Sequence, residues 1–278
     1  MNSIRHEQGN AGELVYRQTL ATRLTHWIWA VSLFFLLLSG LQIFNAHPIL
    51  YFGDQSGFAF NNTVLEIGAQ ETGGKQTGFV DLFGKRFETT GVLGYSGGSE
   101  RAFPKWATLP SRQDLATGRV IHLFFAWVLV AALLAWLAGA AVSGHLKNDF
   151  LPTLADLRAL PHDLKAHLRF SFHHGKNYNV LQKLAYFFVL FVALPMMIAT
   201  GLAMSPGFNA VAPFMVDVLG GRQTARTLHF VFMAALLGFF VVHIAMILAA
   251  GPLNELRSII TGWYRTDTMT LDPKNEVK

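Results

Sequence analysis

Four histidines lie in the parts of long stretches without Asp, Glu, Lys or Arg that we predict below to cross a membrane: His26, His122, His229 and His243. Ionisable side chains are costly inside a membrane, so their presence there indicates a functional site. A neutral imidazole is a common metal ligand. The chain has no cysteine, which excludes thiolate zinc sites, iron–sulfur clusters and covalent haem attachment through a C-x-x-C-H motif. Any metal must therefore be held by nitrogen or oxygen.

The stretches that carry these histidines are long enough to cross a membrane. Four charge-free runs cover residues 24–53, 120–146, 184–216 and 227–254, and each exceeds the roughly 20 residues that a spanning helix needs. Only 14% of the residues are charged and 52% are hydrophobic, whereas soluble domains carry about 25% charged residues. We predict an all-α integral membrane protein, a single four-helix membrane domain over residues 1–278. Its spans are expected at about 24–44, 120–143, 184–205 and 227–250.

The distribution of basic residues predicts the orientation. The connection over residues 145–183 carries six Lys and Arg, and the loops richer in basic residues face the cytoplasm. We therefore predict that both termini and the 145–183 loop are cytoplasmic. By parity, residues 45–117 form a long periplasmic cap.

Two kinds of extramembrane structure are expected. The cap is rich in turn formers, among them Gly73-Gly74 and Gly97-Gly98, and is predicted to be ordered with little regular structure. Residues 151–169 and 253–264 show helical spacing of apolar residues, which predicts amphipathic helices on the membrane surface.

The topology sorts the four histidines into two pairs. His26 is near the start of an outward span and His243 near the end of an inward one, so both are predicted at the inner level. His122 and His229 each begin an inward span, so both are predicted at the outer level. Fourteen residues separate His229 from His243, which on a helix is about 21 Å of rise and a return to within ~40° of one face. Two histidines from different helices at each of two depths is the arrangement that two bis-histidine haems require.

Neighbouring residues favour the same interpretation. An arginine precedes three of the four histidines at i−3, where its guanidinium could meet a haem propionate: Arg23, Arg119 and Arg226. Gly40 follows His26 by fourteen residues and would let a porphyrin ring approach the backbone. Each arginine taken alone is also explained as an interfacial anchor, and Gly40 as a helix-packing residue.

These residues resemble a known family. The sequence is similar to the cytochrome b subunits of membrane-bound formate dehydrogenase, and more closely to the thiosulfate reductase cytochrome b subunit-like proteins of the cytochrome b561 superfamily. The resemblance covers all four spans. It is carried by Arg23-x-x-His26-Trp27, by Tyr178-Asn179-x-x-Gln182-Lys183, and by Arg226-Thr227-Leu228-His229 followed by His243.

The resemblance implies two non-covalent haem b groups, with His26 and His243 on the inner iron and His122 and His229 on the outer one. It also implies the bacterial inner membrane and a periplasmic partner, a molybdopterin- or hydrogenase-type catalytic subunit. The family's quinone site, near the inner haem, maps onto Tyr178, Asn179, Gln182 and Lys183. A helix cap at Asn179 and a membrane anchor at Lys183 explain two of those residues equally well.

We therefore expect a membrane-anchoring cytochrome b subunit that relays electrons between a periplasmic oxidoreductase and the quinone pool. The residues leave two alternatives open. One is a self-contained haem b quinone oxidoreductase, for example from superoxide to quinone. The other is a transporter or scaffold without redox chemistry, against which the lack of intramembrane Asp and Glu counts.

Overall fold

The computed structural model of the chain describes residues 14–142, 158 and 180–265. Within this part, four helices are long and apolar enough to cross a membrane: Leu20–Phe44, Leu115–Val142, Leu181–Met204 and Arg222–Ala249. The prediction of four spanning helices is confirmed, and the protein is a multi-pass membrane protein. Each helix begins a few residues before the predicted span, because polar residues at the interface continue the helix beyond the hydrocarbon.

Helices account for most of the described residues. They are α1 (Leu20–Phe44), α2 (Leu115–Val142), α3 (Val180–Phe187), α4 (Leu194–Met204), α5 (Pro206–Val211), α6 (Phe214–Val218), α7 (Arg222–Ala250) and α8 (Pro252–Thr261). A π-helical turn, Phe188–Ala193, joins α3 to α4 and makes them one span. A 3₁₀ turn covers Lys105–Ala107.

The π-helical turn ends two residues before Pro195 of the third span. A proline ring clashes with the carbonyl four residues back and supplies no N–H. In the turn, the N–H of Leu194 bonds to the carbonyl of Val189, five residues back. Widening the helix in this way makes room for the proline, so the third span continues through it.

The spans form two close pairs. The backbone of α1 packs along α2, and that of α4 packs along α7. Within the described residues, α7 makes no comparably close backbone packing with α1 or α2. A buried layer of leucines joins the two pairs at mid-depth: Leu129, Leu133, Leu190 and Leu194.

The cap contains regular structure, so the expectations of an all-α chain and of a cap with little regular structure are wrong. The strands are β1 (Leu14–Tyr16), β2 (Ile49–Tyr51), β3 (Thr63–Thr72), β4 (Lys75–Leu82), β5 (Lys85–Glu88), β6 (Tyr95–Ser96), β7 (Ser99–Glu100) and β8 (Trp263–Arg265). Strands β2 to β5 form an antiparallel sheet in chain order, and β6 pairs with β7. We call the sheet β2–β5 the cap sheet.

Tight turns explain this result. Three two-residue connections have both residues at positive φ: Gly73-Gly74, Phe83-Gly84 and Gly97-Gly98. Each joins directly paired strand ends, as in the register of Thr72 with Lys75. Two positive φ values define the type I′ turn, whose twist matches that of paired strands. The glycines that suggested an irregular cap therefore form the turns of hairpins.

The cap is bonded to the first turn of α7. The N–H of Gly53 donates to Thr224 Oγ1 at 2.7 Å, and the carbonyl of Gly53 accepts from the N–H of Gln223 at 2.9 Å. Thr227 Oγ1 donates to the carbonyl of Tyr51 at 2.7 Å. The first N–H groups of a helix have no partner within it, and here the cap supplies a partner. The start of α7 is thereby fixed to the cap.

A buried arginine ties the cap to α1. Arg101 is 5% exposed and donates to Gln42 Oε1 at 3.0 Å, to Thr108 Oγ1 at 2.9 Å and to the carbonyl of Ser111 at 2.5 Å. Gln42 belongs to the last turn of α1 and is itself buried. Burial lowers the pKa of the Arg101 guanidinium, and its hydrogen bonds all go to neutral oxygens. Nothing in the sequence pattern predicts this contact.

The described chain ends lie together at the opposite end of the bundle. Strand β1 pairs with β8, with Val15 opposite Tyr264, so both ends are on one side. That this side is cytoplasmic stays a prediction. The surface helix expected over 253–264 corresponds to α8 and β8. The one expected over 151–169 lies outside the described residues, apart from Arg158.

The start of α2 provides a pH-dependent contribution to stability. The Asp114 carboxylate accepts from the N–H of Thr117 at 3.0 Å and from Arg112 Nη2 at 2.8 Å. The backbone bond, and after it the arginine, lowers the pKa of Asp114 to about 2. A lowered pKa stabilises the folded state above the unfolded pKa near 4, and this contribution disappears as pH falls through about 2.

We expect Asp114→Asn to lower the thermal midpoint at neutral pH, with a difference from wild type that closes between about pH 4 and about pH 2. Tryptophan fluorescence of the detergent-purified protein measures it. Glu71→Gln, on the exposed end of β3, is the control and should show no such closing. A difference between Asp114→Asn and wild type that stays constant across that pH range would contradict the assignment.

Candidate metal centres

The structure brings the four intramembrane histidines together as two pairs. The ring centroids of His26 and His243 are 6.5 Å apart, and those of His122 and His229 are 6.3 Å apart. These are the two pairs that the topology predicts. The His122–His229 pair lies at the end of the bundle that bears the cap, and we call it the cap-side pair. The His26–His243 pair lies toward the chain ends, and we call it the terminal-side pair.

Both separations match two imidazoles that bind one metal ion from opposite sides. A metal–imidazole bond is about 2 Å long, and the coordinating nitrogen is about 1.1 Å from the ring centroid, so two opposed ligands have centroids about 6 Å apart. The rings are inclined by 51° and 59°, which two opposed ligands can adopt by rotation about the common axis.

The donor set distinguishes a haem from a bare metal ion. Across residues 14–142, 158 and 180–265, no group of three or more His, Cys, Asp or Glu side chains could hold an ion. Two imidazoles alone leave most coordination positions of an iron open. A tetrapyrrole supplies four nitrogens in a plane and leaves two axial positions for histidine. The two pairs therefore fit haem iron and do not fit an ion held by protein ligands alone.

The surroundings of α7 agree with a flat group between the helix pairs. The most apolar 18-residue stretch of α7 contains no buried residue, although both His229 and His243 point toward other helices. Leu236, midway between these histidines, packs against the buried leucine layer. The layer thus separates two sites, one at each level.

Each cap-side histidine has a hydroxyl partner. Ser39 Oγ lies 3.1 Å from His122 Nδ1, and Thr200 Oγ1 lies 2.9 Å from His229 Nδ1. Both hydroxyl residues have no exposed surface. A bond at Nδ1 orients the ring and leaves Nε2 for a metal. Neither Ser39 nor Thr200 is among the site residues predicted from the sequence.

A glycine follows each of these hydroxyl residues. A Cβ on Gly40 would lie 3.2 Å from Cε1 of His122, and a Cβ on Gly201 would lie 3.5 Å from Cε1 of His229. The close approach at Gly40 is thus to an imidazole ring; its role toward a porphyrin stays a prediction. A hydroxyl–glycine pair that recurs at the same depth in two spans was the signal available in the sequence.

The terminal-side pair has different surroundings. His26 Nδ1 is buried and has no hydrogen-bond partner among the described residues. The His26 ring meets Trp27 edge-on at 5.4 Å, and the His243 ring stacks on Phe239 at 5.7 Å. Aromatic rings therefore pack against the terminal-side pair, whereas hydroxyl groups lie within hydrogen-bond distance of the cap-side pair.

Two of the three arginines that precede a histidine by three residues donate hydrogen bonds to backbone carbonyls. Arg23 Nη1 donates to the carbonyl of Ile260 at 2.6 Å, near the end of α8. Arg226 donates to the carbonyls of Ile49, at 2.9 Å, and His47. Arg119 is exposed. A role for the three toward haem propionates stays a prediction, while Arg23 and Arg226 also join separate elements of the fold.

The predicted quinone residues fall at the boundary of the described chain. Tyr178 and Asn179 lie outside the described residues. Gln182 and Lys183 are in the first turns of α3 and are partly buried. Because α3 starts at the end of the bundle where α7 finishes, both residues lie at the level of the terminal-side pair.

Four apolar spans with two opposed histidine pairs define a class of membrane protein, the haem b cytochromes that carry electrons. The model of one family, described as prokaryotic cytochrome b561, matches residues 17–262. The chain belongs to this family and is a membrane haem b electron-transfer protein. The resemblance stated from the sequence is confirmed.

One relative is similar over most of its length. It is the Azospira oryzae protein named "Putative protein-methionine-sulfoxide reductase subunit YedZ1", 27% identical over 227 residues, which are 81% of this chain and 86% of that protein. The family and this relative favour electron transfer over the transporter or scaffold alternative.

The two glycines beside the cap-side rings give a matched test. A methyl group at Gly40 would be tighter against His122 than ordinary contact allows, whereas at Gly201 it would be in ordinary contact with His229. We expect Gly40→Ala to cost about 1–3 kcal/mol through overpacking and to lower haem b per chain. Gly201→Ala should change neither quantity by a comparable amount. Equal effects, measured by pyridine haemochrome and thermal unfolding, would contradict this account.

Proposed function

We propose that the protein relays electrons through two haem b groups between the quinone pool and a partner oxidoreductase that docks on the cap side. In this proposal His122 and His229 ligate the cap-side haem iron, and His26 and His243 ligate the terminal-side one. The cap faces the periplasm and the terminal side faces the cytoplasm. The membrane is the bacterial inner membrane.

The observation that carries the proposal is the pair of ring separations, 6.5 Å and 6.3 Å, at opposite ends of one bundle. A single site would need one such pair. The fourteen residues between His229 and His243 give about 21 Å along α7, most of the ~30 Å hydrocarbon thickness. A one-electron carrier at each level would connect the two faces.

The protein's own residues hold and separate the two sites. Two imidazoles at each level would hold one haem iron, and the buried leucine layer lies between the two levels. The haem supplies reversible one-electron chemistry when bound. Gln182, in α3, and Asn179, three residues before it in the sequence, would supply the donors that hydrogen-bond quinone carbonyls and pass protons from the aqueous side.

The partner and the direction of electron flow are inferred from the relative. It is named as a subunit of a reductase, which supports a catalytic partner of the molybdopterin-reductase type over a hydrogenase. With a reductase, electrons would run from quinol at the terminal side to the partner at the cap side. The exposed aromatic residues of the cap, such as Phe58 and Trp106 at 91% and 83% exposure, are available to such a partner.

The self-contained alternative needs a cation that steers superoxide to the cap-side haem. Of the two arginines that precede the cap-side histidines, Arg226 has its guanidinium bonded to two backbone carbonyls, whereas Arg119 is exposed. We favour the partner-dependent function because the relative is named as a subunit of a reductase.

Haem stoichiometry tests the proposal. We expect the purified wild-type chain to bind two haem b per polypeptide by pyridine haemochrome. His122→Leu and His26→Leu should each bind one, because each removes one axial ligand of a different site. His47→Gln is the matched control: His47 is exposed and outside the spans, so this variant should keep both haems.

Two outcomes would overturn the two-haem relay. One is a wild-type chain with a single haem. The other is loss of the same spectral component in His122→Leu and His26→Leu.

Quinone chemistry has a separate test. We expect Asn179→Ala to slow reduction of the haems by a soluble quinol severalfold, with haem content and spectra unchanged. Asn254→Ala, in α8 on the terminal side of the bundle, is the control. Unchanged reduction kinetics in Asn179→Ala would remove that residue from the quinone site.

A further inference from the structure

The cap-side pair is supported by the same hydroxyl–glycine sequence from two helices. Ser39-Gly40 of α1 faces the His122 ring, and Thr200-Gly201 of α4 faces the His229 ring. The hydroxyl oxygens lie 3.1 Å and 2.9 Å from the two Nδ1 atoms. Both imidazoles are therefore held at the same atom, by the same functional group, from opposite sides of the site.

The hydrogen-bond directions follow from the backbone. Ser39 Oγ is 2.6 Å from the carbonyl oxygen of Phe35, and Thr200 Oγ1 is 2.6 Å from that of Met196. A carbonyl oxygen can only accept, so each hydroxyl proton is donated there. Toward histidine, each hydroxyl oxygen then accepts. His122 and His229 must carry their protons on Nδ1, and both Nε2 lone pairs are available to iron.

The terminal-side pair differs at the same atom. His26 Nδ1 is buried and has no partner among the described residues. A bond at Nδ1 to an acceptor raises the basicity of the ligating Nε2, and a more basic ligand favours ferric over ferrous iron. His26 therefore lacks, among the described residues, the Nδ1 hydrogen bond that both cap-side rings have, and hydrogen bonding to the ligands is one means by which a protein separates the potentials of two bis-histidine irons.

We propose that Ser39 and Thr200 are positioning residues that fix the Nδ1–H tautomer of the cap-side imidazoles and lower the reduction potential of the haem they bind. This inference rests on the proposed ligation of that haem by His122 and His229. It concerns residues for which the family match and the relative provide no role.

The test is a redox titration of the full-length protein in detergent. Ser39→Ala and Thr200→Val each remove one hydroxyl and keep the adjacent glycine. In each variant we expect the reduction equilibrium constant of the cap-side haem to rise about tenfold, or about 59 mV for a one-electron couple. The cap-side signal is identified as the one that is missing in His122→Leu.

Two variants separate a hydrogen bond from general packing. Thr200→Ser restores the hydroxyl and should titrate like wild type. Ser32→Ala is the matched control, because Ser32 is also buried in α1 and its Oγ has no partner among the described residues. Ser32→Ala should leave both potentials unchanged.

The proposal is overturned if Ser39→Ala and Thr200→Val retain both haems and both potentials, or if Ser32→Ala shifts the cap-side potential as much as they do. If Ser39→Ala does not fold, Thr200→Val and Thr200→Ser decide the question at the second ligand. A wild-type chain that lacks a haem at the cap-side pair would instead contradict the proposed function. Failure of the inference and failure of the function are thus distinguishable.

Discussion

The fold depends on one constraint: each of two histidines on α7 must face an imidazole from another helix at a separation that one metal ion can bridge. Because fourteen residues return a helix to nearly the same face, His229 and His243 point into the same space at two depths. The partner rings, His26 and His122, each lie near the start of their own helix, and because α1 and α2 run antiparallel these rings lie at opposite levels. The long spans, the short connection between the third and fourth spans and the central leucine layer are all compatible with this one geometry.

Helix association in lipid has little hydrophobic driving force, so polar contacts and close packing must position the spans. Within the described residues, α7 packs closely on α4 but not on α1 or α2. Its position relative to those helices is instead fixed at its ends. At one end, the segment around Gly53 bonds to the first turn of α7. At the other, α8 follows α7 directly, and Arg23 of α1 donates to the carbonyl of Ile260. The extramembrane parts thus set the distances on which the two ring pairs depend.

The sequence predicted those features that follow from composition and helical periodicity. Four charge-free runs determined the spans, and the alternation of direction determined which histidines meet. Periodicity does not specify what bonds to a side chain, so the partners of the cap-side rings, Ser39 and Thr200, were not found. The prediction for the cap was wrong for a different reason. Gly73-Gly74 was interpreted by composition alone, although two glycines between alternating strands are typical of a type I′ hairpin.

The role of an arginine at the membrane interface is harder to predict from sequence than the role of a histidine inside the membrane. An imidazole in hydrocarbon has few ways to satisfy its nitrogens, so its location alone restricts its function. A guanidinium at the interface has five donors and can satisfy them with propionates, lipid phosphates or backbone carbonyls. Arg23 donates to a backbone carbonyl of α8, and Arg226 donates to a backbone carbonyl of β2. The same i−3 spacing that suggested propionate binding therefore also places Arg23 and Arg226 within hydrogen-bond distance of backbone carbonyls of a neighbouring element.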